Sequence, residues 1–495
     1  MSEIKYKLEV NNKLITSVVN LKEISTSSII NECISLYFER SNEELKVSIK
    51  NIGSASILLN KLHLELFSTR DFKKTNIIIN PKTIYEKMSS VHIDRVNESE
   101  RIQSYLFETL IDNENNNCRF FGFLGSRYSR NNIENVLNKN EFHVEAVYNF
   151  INYELKHEEE LMLDSLFITE GQDIFPLFNS FMDKMLINND LRNDNDLKAK
   201  LESSSVYSIL YTYKVNSSTL KIDNKPVYLK VNKKKLYAVD ISTEEGRNKV
   251  FSNANAVINK VSLLDINGIG QYISIIEEHK LFNAHYELSR LLTFIKSRFE
   301  EYRFFSDDYP LGLLNFKVTV ENRIFDFEEH KGLLSQLTKK DNNNINYDFF
   351  FKLLMQRIIS YSHKSFSTSN KKINELMTII LSGANINSLA NKNLLAMALD
   401  IGNNFAVIPY AGRNKVFGLL LTGTENMYIA VFNFENKGAK FYCDLESQAY
   451  IHEADGVATE VYSDNNYLIS DGKLYIRNVP SMDCCLFKKA LNKTA

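Results

Sequence analysis

The chain of 495 residues contains no tryptophan and only 17 glycines, about half the usual glycine share of roughly 7%. Aromatic residues as such are not scarce, since there are 32 Phe and 25 Tyr. Lys, Asn and Ile are abundant, which points to a compositional drift acting on the whole chain. Any motif that other proteins build on Trp or Gly must be broken here. Charge of one sign is also missing: 59 Lys and Arg against 61 Asp and Glu leave a net charge of −2. There is no global basic field, so nucleic acid is not an implied partner. The local run Lys233-Lys234-Lys235 reads as a solvated turn. Only five cysteines occur, Cys33, Cys118, Cys443, Cys484 and Cys485. They are scattered and lack metal spacing, which suggests a reducing compartment. The start MSEIKYKLEVNNKLITS has no apolar core of signal-peptide length, and no run approaches the roughly 18 apolar residues of a membrane span. The expectation is a cytoplasmic protein without a membrane partner.

What is present is ordinary globular material, 44% hydrophobic and 24% charged, long enough for two to four domains. Residues 1–170 alternate apolar and polar with period two in KYKLEV, SLYFER, ELKVSIKN and KLHLELFS, the pattern of an N-terminal β-sandwich. The strand LMLDSLFI follows. Residues 171–199 hold a helix, with Ile174, Leu177, Phe178, Phe181, Met182 and Met185 at helical spacing, and a polar linker. Residues 200–398 mix the two periods. VYSILYTYKV, KLYAVDI and VSLLDI read as strands. STEEGRNKVFSNANAVINK, HYELSRLLTFIKSRFEEY and YDFFFKLLMQRIISYSHK read as helices, the first capped by Ser242 or Thr243. Such alternation predicts a parallel α/β layer or barrel. Residues 399–495 return to β, with seven short strands expected as a C-terminal antiparallel sandwich. Adjacent Cys484-Cys485 lies in the last of them, where alternation buries one of the pair.

The stretch Val261–Gly270, VSLLDINGIG, carries the most chemistry. A short apolar run ends in Asp265, with Asn267 two residues on. Asp and Asn before Gly at a strand end make an ordinary turn. The same pattern also fits a catalytic carboxylate at the C-terminal mouth of a barrel strand. His279 and His285 have poor spacing for one helical face and no carboxylate at HExxH spacing, so neither a metal site nor a cofactor is expected.

Several pieces in order resemble the α-galactosidase (melibiase) type glycoside hydrolases, family 36 and its relative family 27. HEEELMLDSLFITEGQDIFPLFNSF resembles the family's last sandwich strand and the helix before its barrel. AVDISTEEGRNKVF resembles its "LDLTNPE-R-YL" stretch, LLDIN its "K-W-D-M-N" and DYPLGLL its "R-D-L-G-L-L". MYIAVFNFEN and GKLYIRNVPSMDCCLFKKA resemble its C-terminal domain. The resemblance implies a multidomain α/β plus β protein with a central (β/α) TIM-like barrel, complete or short of units. It implies a retaining α-galactosidase-like hydrolase acting on α-linked glycosides. Such chemistry needs two carboxylates about 5–5.5 Å apart. By resemblance Asp265 is the nucleophile and Glu321, in VTVENRI, the acid/base, with Asp307 and Asp308 as fallback. Asn267, Arg303, Asp307 and Asp308 are the implied sugar contacts. Carbohydrate is the implied partner, homo-oligomerisation is a candidate assembly, and no metal or organic cofactor is called for. The chain also departs from the family. Leu263 replaces the family's lysine, no "D-D-G-W" counterpart occurs, and the chain from the start of YSILYTYKV to the end of YAVDIS is only about three dozen residues long. The alternative is therefore a catalytically degenerate relative that binds carbohydrate or a protein without cleavage.

Overall fold

The computed structural model describes residues 3–188, 209–305, 318–320, 359–361, 370–376, 392–445 and 455–491, with short gaps inside those ranges. The chain divides into two compact units. One comprises Met1–Leu191 with Lys200–Val318, the other Arg192–Ala199 with Thr319–Ala495. Each is taken by itself.

The first unit opens with two antiparallel sheets packed face to face. One has six strands in the spatial order Lys13–Asn20, Glu3–Val10, Ile57–Thr69, Glu141–Leu155, Asn132–Asn138, Arg101–Tyr105. The other has nine strands and begins Ser25–Ile30, Ile34–Arg40, Glu44–Asn51, Leu166–Gly171, Asn117–Phe123, Phe107–Asp112. Period-two alternation makes the core directly. Ile4, Tyr6, Leu8 and Val10 point inward from one strand and meet Leu36, Phe38, Val47 and Ile49 from the opposite sheet. ELKVSIKN and KLHLELFS are consecutive strands, as expected, but they sit in different sheets. The run LMLDSLFI is not one strand. It breaks into Glu160–Met162 and Leu166–Gly171. Asp164 lies in the break, where it is buried and receives a hydrogen bond from Asn131 Nδ2 (3.2 Å).

Helix α1, Ile174–Asn188, covers the outer face of the nine-stranded sheet. Its Phe178 and Phe181 join Phe107, Phe120 and Phe167 in one aromatic cluster, with centroids 5.0–6.1 Å apart. Gly122 permits the approach, since a Cβ there would stand 2.5 Å from the Phe181 ring.

The outer face of the six-stranded sheet carries paired charges. Glu145 is 5% exposed and accepts hydrogen bonds from Lys7 Nζ (2.6 Å) and His63 Nδ1 (3.0 Å). Burial alone would raise its pKa. The hydrogen bonds from His63 and Lys7 outweigh burial and hold it at about 2. Its stabilising contribution is present above about 4.5 and is lost as pH falls towards 2.

The centre of the chain differs from expectation. A TIM barrel is not shown among the described residues. Where βα units were expected there is an antiparallel sheet of Tyr211–Thr212, Lys234–Ala238 and Tyr228–Val231, with a two-stranded hairpin, Lys221–Ile222 and Lys225–Pro226. The reason is local. Asp223-Asn224 and Asn232-Lys233 take positive φ (50°, 61°, 48° and 67°) and close tight two-residue hairpins. Parallel neighbours need a crossover of a dozen or more residues, and these turns leave none. Of the run Lys233-Lys234-Lys235, Lys233 sits in the hairpin turn and the other two begin the strand Lys234–Ala238; in the described part of VYSILYTYKV the strand is Tyr211–Thr212. Then come helix α2 (Glu244–Ile258), strand Leu263–Asp265, helix α3 (Ile269–Glu278), helix α4 (Ala284–Arg298) and strand Arg303–Phe305. α2 and α4 match the expected helices. YDFFFKLLMQRIISYSHK includes a strand, Ile359–Tyr361, so it is not one helix; its remainder lies outside the described residues.

In the second unit the C-terminal strands form a single eight-stranded antiparallel sheet, not two stacked sheets. Its order is Phe405–Pro409, Val416–Thr422, Asn426–Asn433, Asp483–Ala490, Gly456–Glu460, Asn466–Ser470, Lys473–Val479, Ala439–Asp444. Ala439–Asp444 returns against Val416–Thr422, so the sheet curls into a nearly closed barrel. Strand twist accumulated over eight neighbours produces this closure. The eighth strand, Asn466–Ser470, was not anticipated. Ile429, Val431, Phe441, Leu474, Ile476 and Phe487 fill the interior. Cys484 is buried and Cys485 half-buried, as alternation requires. Helix α5, Lys392–Ile401, is pinned by Asp400, whose carboxylate accepts from the backbone N–H groups of Glu425 (2.9 Å) and Asn426 (3.1 Å) and from the Tyr428 hydroxyl (3.1 Å).

Candidate functional site

Asp265 is the last residue of the strand Leu263–Asp265. That strand runs parallel to Arg303–Phe305, with Leu263 opposite Arg303 and Asp265 opposite Phe305. Both strands therefore end on the same side, about 4.8 Å apart. Arg303 starts its strand, two residues back from the level of Asp265. Asn267, Asp307, Asp308 and Glu321 lie outside the described residues. In sequence, Asp307 and Asp308 follow shortly after Phe305, and Glu321 directly follows the strand Val318–Val320.

The turn after Asp265 is held from three directions. Gly268 takes φ = 86° and opens α3 in the left-handed region, which suits glycine. A Cβ there would lie 2.6 Å from Leu229 and 2.7 Å from the Tyr211 ring. The Tyr211 hydroxyl donates to the Gly268 carbonyl (2.7 Å). Asn253 of α2 donates to the carbonyl of Ile209 (2.9 Å), which fixes the segment carrying Tyr211. The Tyr272 hydroxyl donates to the Val239 carbonyl (2.6 Å) and ties α3 to the preceding strand–helix turn. Burial holds the Tyr272 phenol well above its usual pKa, so it stays a donor.

That preceding turn is also built locally. The Asp240 carboxylate accepts from Ser242 N–H (3.1 Å) and Ser242 Oγ (2.6 Å). Of the two expected caps it is Thr243 that caps α2, since its Oγ1 accepts from Gly246 N–H (3.0 Å). A Cβ on Gly246 would stand 1.7 Å from the Asp240 carbonyl oxygen. Gly246→Ala is expected to destabilise the chain by about 1–3 kcal/mol through overpacking, although alanine is the better helix former. Thermal unfolding of the two proteins checks this.

Sequence reasoning missed α3 and its clamp. The signal was available: Ile269, Tyr272, Ile273 and Ile276 recur at i, i+3, i+4 and i+7, and all four are buried. The tyrosine-to-carbonyl bonds across 57 and 33 residues carry no local signal. Among the described residues no three His, Cys, Asp or Glu side chains group to hold a metal, and no helix is long and apolar enough to cross a membrane.

No family model matches the chain, and no curated protein matches it. Solved structures do. The family 36 α-galactosidase AgaB of Geobacillus stearothermophilus superposes with a TM-score of 0.58 at 10% identity, over 99% of this chain and 88% of that one. A variant of AgaA from the same organism, in complex with stachyose, gives 0.57 at 9% identity, over 98% and 89%. The α-galactosidase of Lactobacillus brevis gives 0.57 at 8% identity, over 97% and 82%. At this identity the likeness speaks for architecture alone: the chain has a glycoside-hydrolase-like fold of the family 36 α-galactosidase kind.

Proposed function

We propose that the protein is a retaining glycoside hydrolase acting on α-linked galactosides or closely related glycosides. One observation carries this reading: within an α-galactosidase-like fold, Asp265 ends a parallel strand beside a second strand end. That is where a barrel-type enzyme presents its reacting groups. Asp265 attacks the anomeric carbon and forms a glycosyl ester. Glu321 protonates the departing oxygen, then removes a proton from the water that hydrolyses the ester. Asn267, Asp307 and Asp308 bind sugar hydroxyls, and Arg303 supports them from one strand end away. Tyr211, Asn253 and Tyr272 are positioning residues, since they fix the turn that follows Asp265. No resident metal or cofactor enters this chemistry.

Hydrolysis of 4-nitrophenyl α-galactoside, with the product anomer followed by NMR, tests the reading. Release of α-galactose first is the expected result. Release of β-galactose first overturns the retaining mechanism, and no release from any α-glycoside overturns the hydrolase. Glu321→Gln should slow substrates with poor leaving groups by about 10²–10⁴-fold and spare an activated dinitrophenyl glycoside, because only the former need protonation.

A second reading is a relative that binds carbohydrate without cleaving it. The antiparallel hairpins over residues 211–238 favour it, since they occupy the region where the family's barrel carries βα units.

A further inference from the structure

The hairpins beside the Asp265 turn carry charge of one sign. Residues 221–238 hold six lysines and one carboxylate, Asp223. Lys221 and Lys225 flank the turn of the first hairpin, and Lys230, Lys233, Lys234 and Lys235 crowd the turn of the second. All six are exposed, and none makes an ion pair among the described residues. The next carboxylates along the chain, Asp240, Glu244 and Glu245, lie beyond these strands, in the turn and at the start of α2. Of these, Asp240 and Glu245 accept hydrogen bonds from the hydroxyls of Ser242 and Ser217. In a chain of net charge −2, the hairpins are a local concentration of positive charge.

Register sharpens that concentration. Lys230 lies directly opposite Lys235, and Tyr228 opposite Tyr237, so alternation sets these four on one face. Like charges directly opposite one another destabilise a sheet. Among the described residues, the contact that offsets them is the Tyr228 ring, whose centroid lies 4.4 Å from Lys235 Nζ. Lys234 belongs to the opposite face, and Lys233 stands in the turn with φ = 67°. The opposite face also carries Leu229. With Tyr211 it closes on Gly268, where an added Cβ would stand 2.6 Å from Leu229 and 2.7 Å from Tyr211. The lysine-bearing sheet therefore lies against the turn that follows Asp265.

We infer that these hairpins hold an anionic polysaccharide, one bearing carboxylate or sulfate groups, alongside the Asp265 turn. That the polymer is a glycan rests on the hydrolase reading above and on the packing of this sheet against Gly268. That it is anionic rests on the lysines alone: charge of one sign, unpaired on the protein, calls for a partner of the other sign. A lysine ammonium is a point charge that serves carboxylate and sulfate alike. The six lysines occupy both faces and both turns of the hairpins, so a flexible polymer can follow them. A flat anionic lipid surface would meet one face and leave the rest unused. Single-stranded nucleic acid is bound on open aromatic rings. Here the Tyr228 ring is covered by Lys235 and abuts Tyr237, at 5.9 Å and 62°.

The test is affinity electrophoresis of the full chain through gels containing polygalacturonate or neutral galactomannan, each mobility referred to a gel without polymer. Polygalacturonate should retard the wild type and Asp265→Asn alike, and added salt should weaken the effect steeply. Lys230→Gln/Lys235→Gln should bind about tenfold more weakly, and Lys230→Arg/Lys235→Arg, which keeps the charge, normally. Removing a like-charged cross-strand pair relieves the sheet, so the thermal midpoint of the glutamine variant should not fall. Lys221→Gln/Lys225→Gln, on the other hairpin, gives the same readout should the first variant misfold. No retardation by polygalacturonate, equal retardation of the glutamine variants, or equal retardation by galactomannan would each overturn the proposal. So would tighter binding to poly(uridylate) or to phosphatidylserine vesicles than to polygalacturonate, lost in the same variants, which would assign the lysines to nucleic acid or to lipid. Retardation without hydrolysis of any glycoside keeps the anionic surface and defeats the hydrolase; hydrolysis without retardation does the reverse.

Discussion

Replacing Asp265 by Asn should lower hydrolysis of an aryl α-galactoside by about four orders of magnitude. The amide has nearly the shape of the carboxylate but cannot form the glycosyl ester on which a retaining mechanism depends. Asn serves in turns as readily as Asp, so the thermal midpoint should scarcely move. The smaller Asp265→Gly leaves space at the anomeric carbon. Added azide should then restore turnover of an activated α-glycoside and yield the β-glycosyl azide. Full activity in Asp265→Asn would reduce the residue to a turn former and return the protein to the binding reading. Tyr211→Phe offers a graded companion. It removes the hydroxyl that holds the Gly268 carbonyl and, on the hydrolase reading, should lower kcat more than it raises KM, because it disturbs the turn after Asp265 and not a proposed sugar contact.

The N-terminal sheets should lose stability as the medium turns from mildly acid to mildly alkaline, and Glu108→Gln should remove that dependence. Glu108 is fully buried between the two sheets, where Asn135 Nδ2 of the opposite sheet donates to its Oε2. Burial pushes its pKa up to about 8, with the Asn135 hydrogen bond opposing only in part. The other carboxyl oxygen, Glu108 Oε1, and the amide oxygen Asn135 Oδ1 have no hydrogen-bond partner among the described residues. A proton on Oε1 turns these two acceptors into donor and acceptor and completes a two-bond acid–amide pair. The unfolded chain gives up this proton near 4.5 and the folded chain near 8. Between those values the folded state holds the extra proton, so stability falls as pH rises through the window and levels off above it. The slope is roughly 1.4 kcal/mol per pH unit at most. Gln supplies the missing donor at every pH and forms an amide–amide pair with Asn135. Hydrogen exchange at Phe107–Asp112 and Asn132–Asn138, measured at pH 5, 6.5 and 8, reads the effect in the strands concerned. A flat profile in the wild type would show that Glu108 is ionised when folded. Glu145 works in the opposite sense at the acid end, so the same sheets should be most stable near pH 4.5–5.

The sequence by itself determined the elements whose cause is local. Period-two alternation set the strands of the N-terminal sheets, because successive side chains of a strand point to opposite faces, so one buried face is written in the strand's own residues. Helical spacing set α1, α2 and α4. The end of an apolar run set Asp265 at a strand terminus. Partnership between distant segments was decided only in the tertiary structure. Eight short strands with turn signals suit a sandwich and a barrel equally, and only accumulated twist and the return of Ala439–Asp444 to Val416–Thr422 made a nearly closed barrel. The hairpins at Asp223-Asn224 and Asn232-Lys233 consumed chain that a parallel barrel would have used for crossovers. Glu108 and Asn135 are unremarkable residues of alternating strands until the two sheets bring them together across 27 positions of sequence. Strand and helix formation answer to neighbours along the chain, whereas sheet order, register and burial answer to partners far from it.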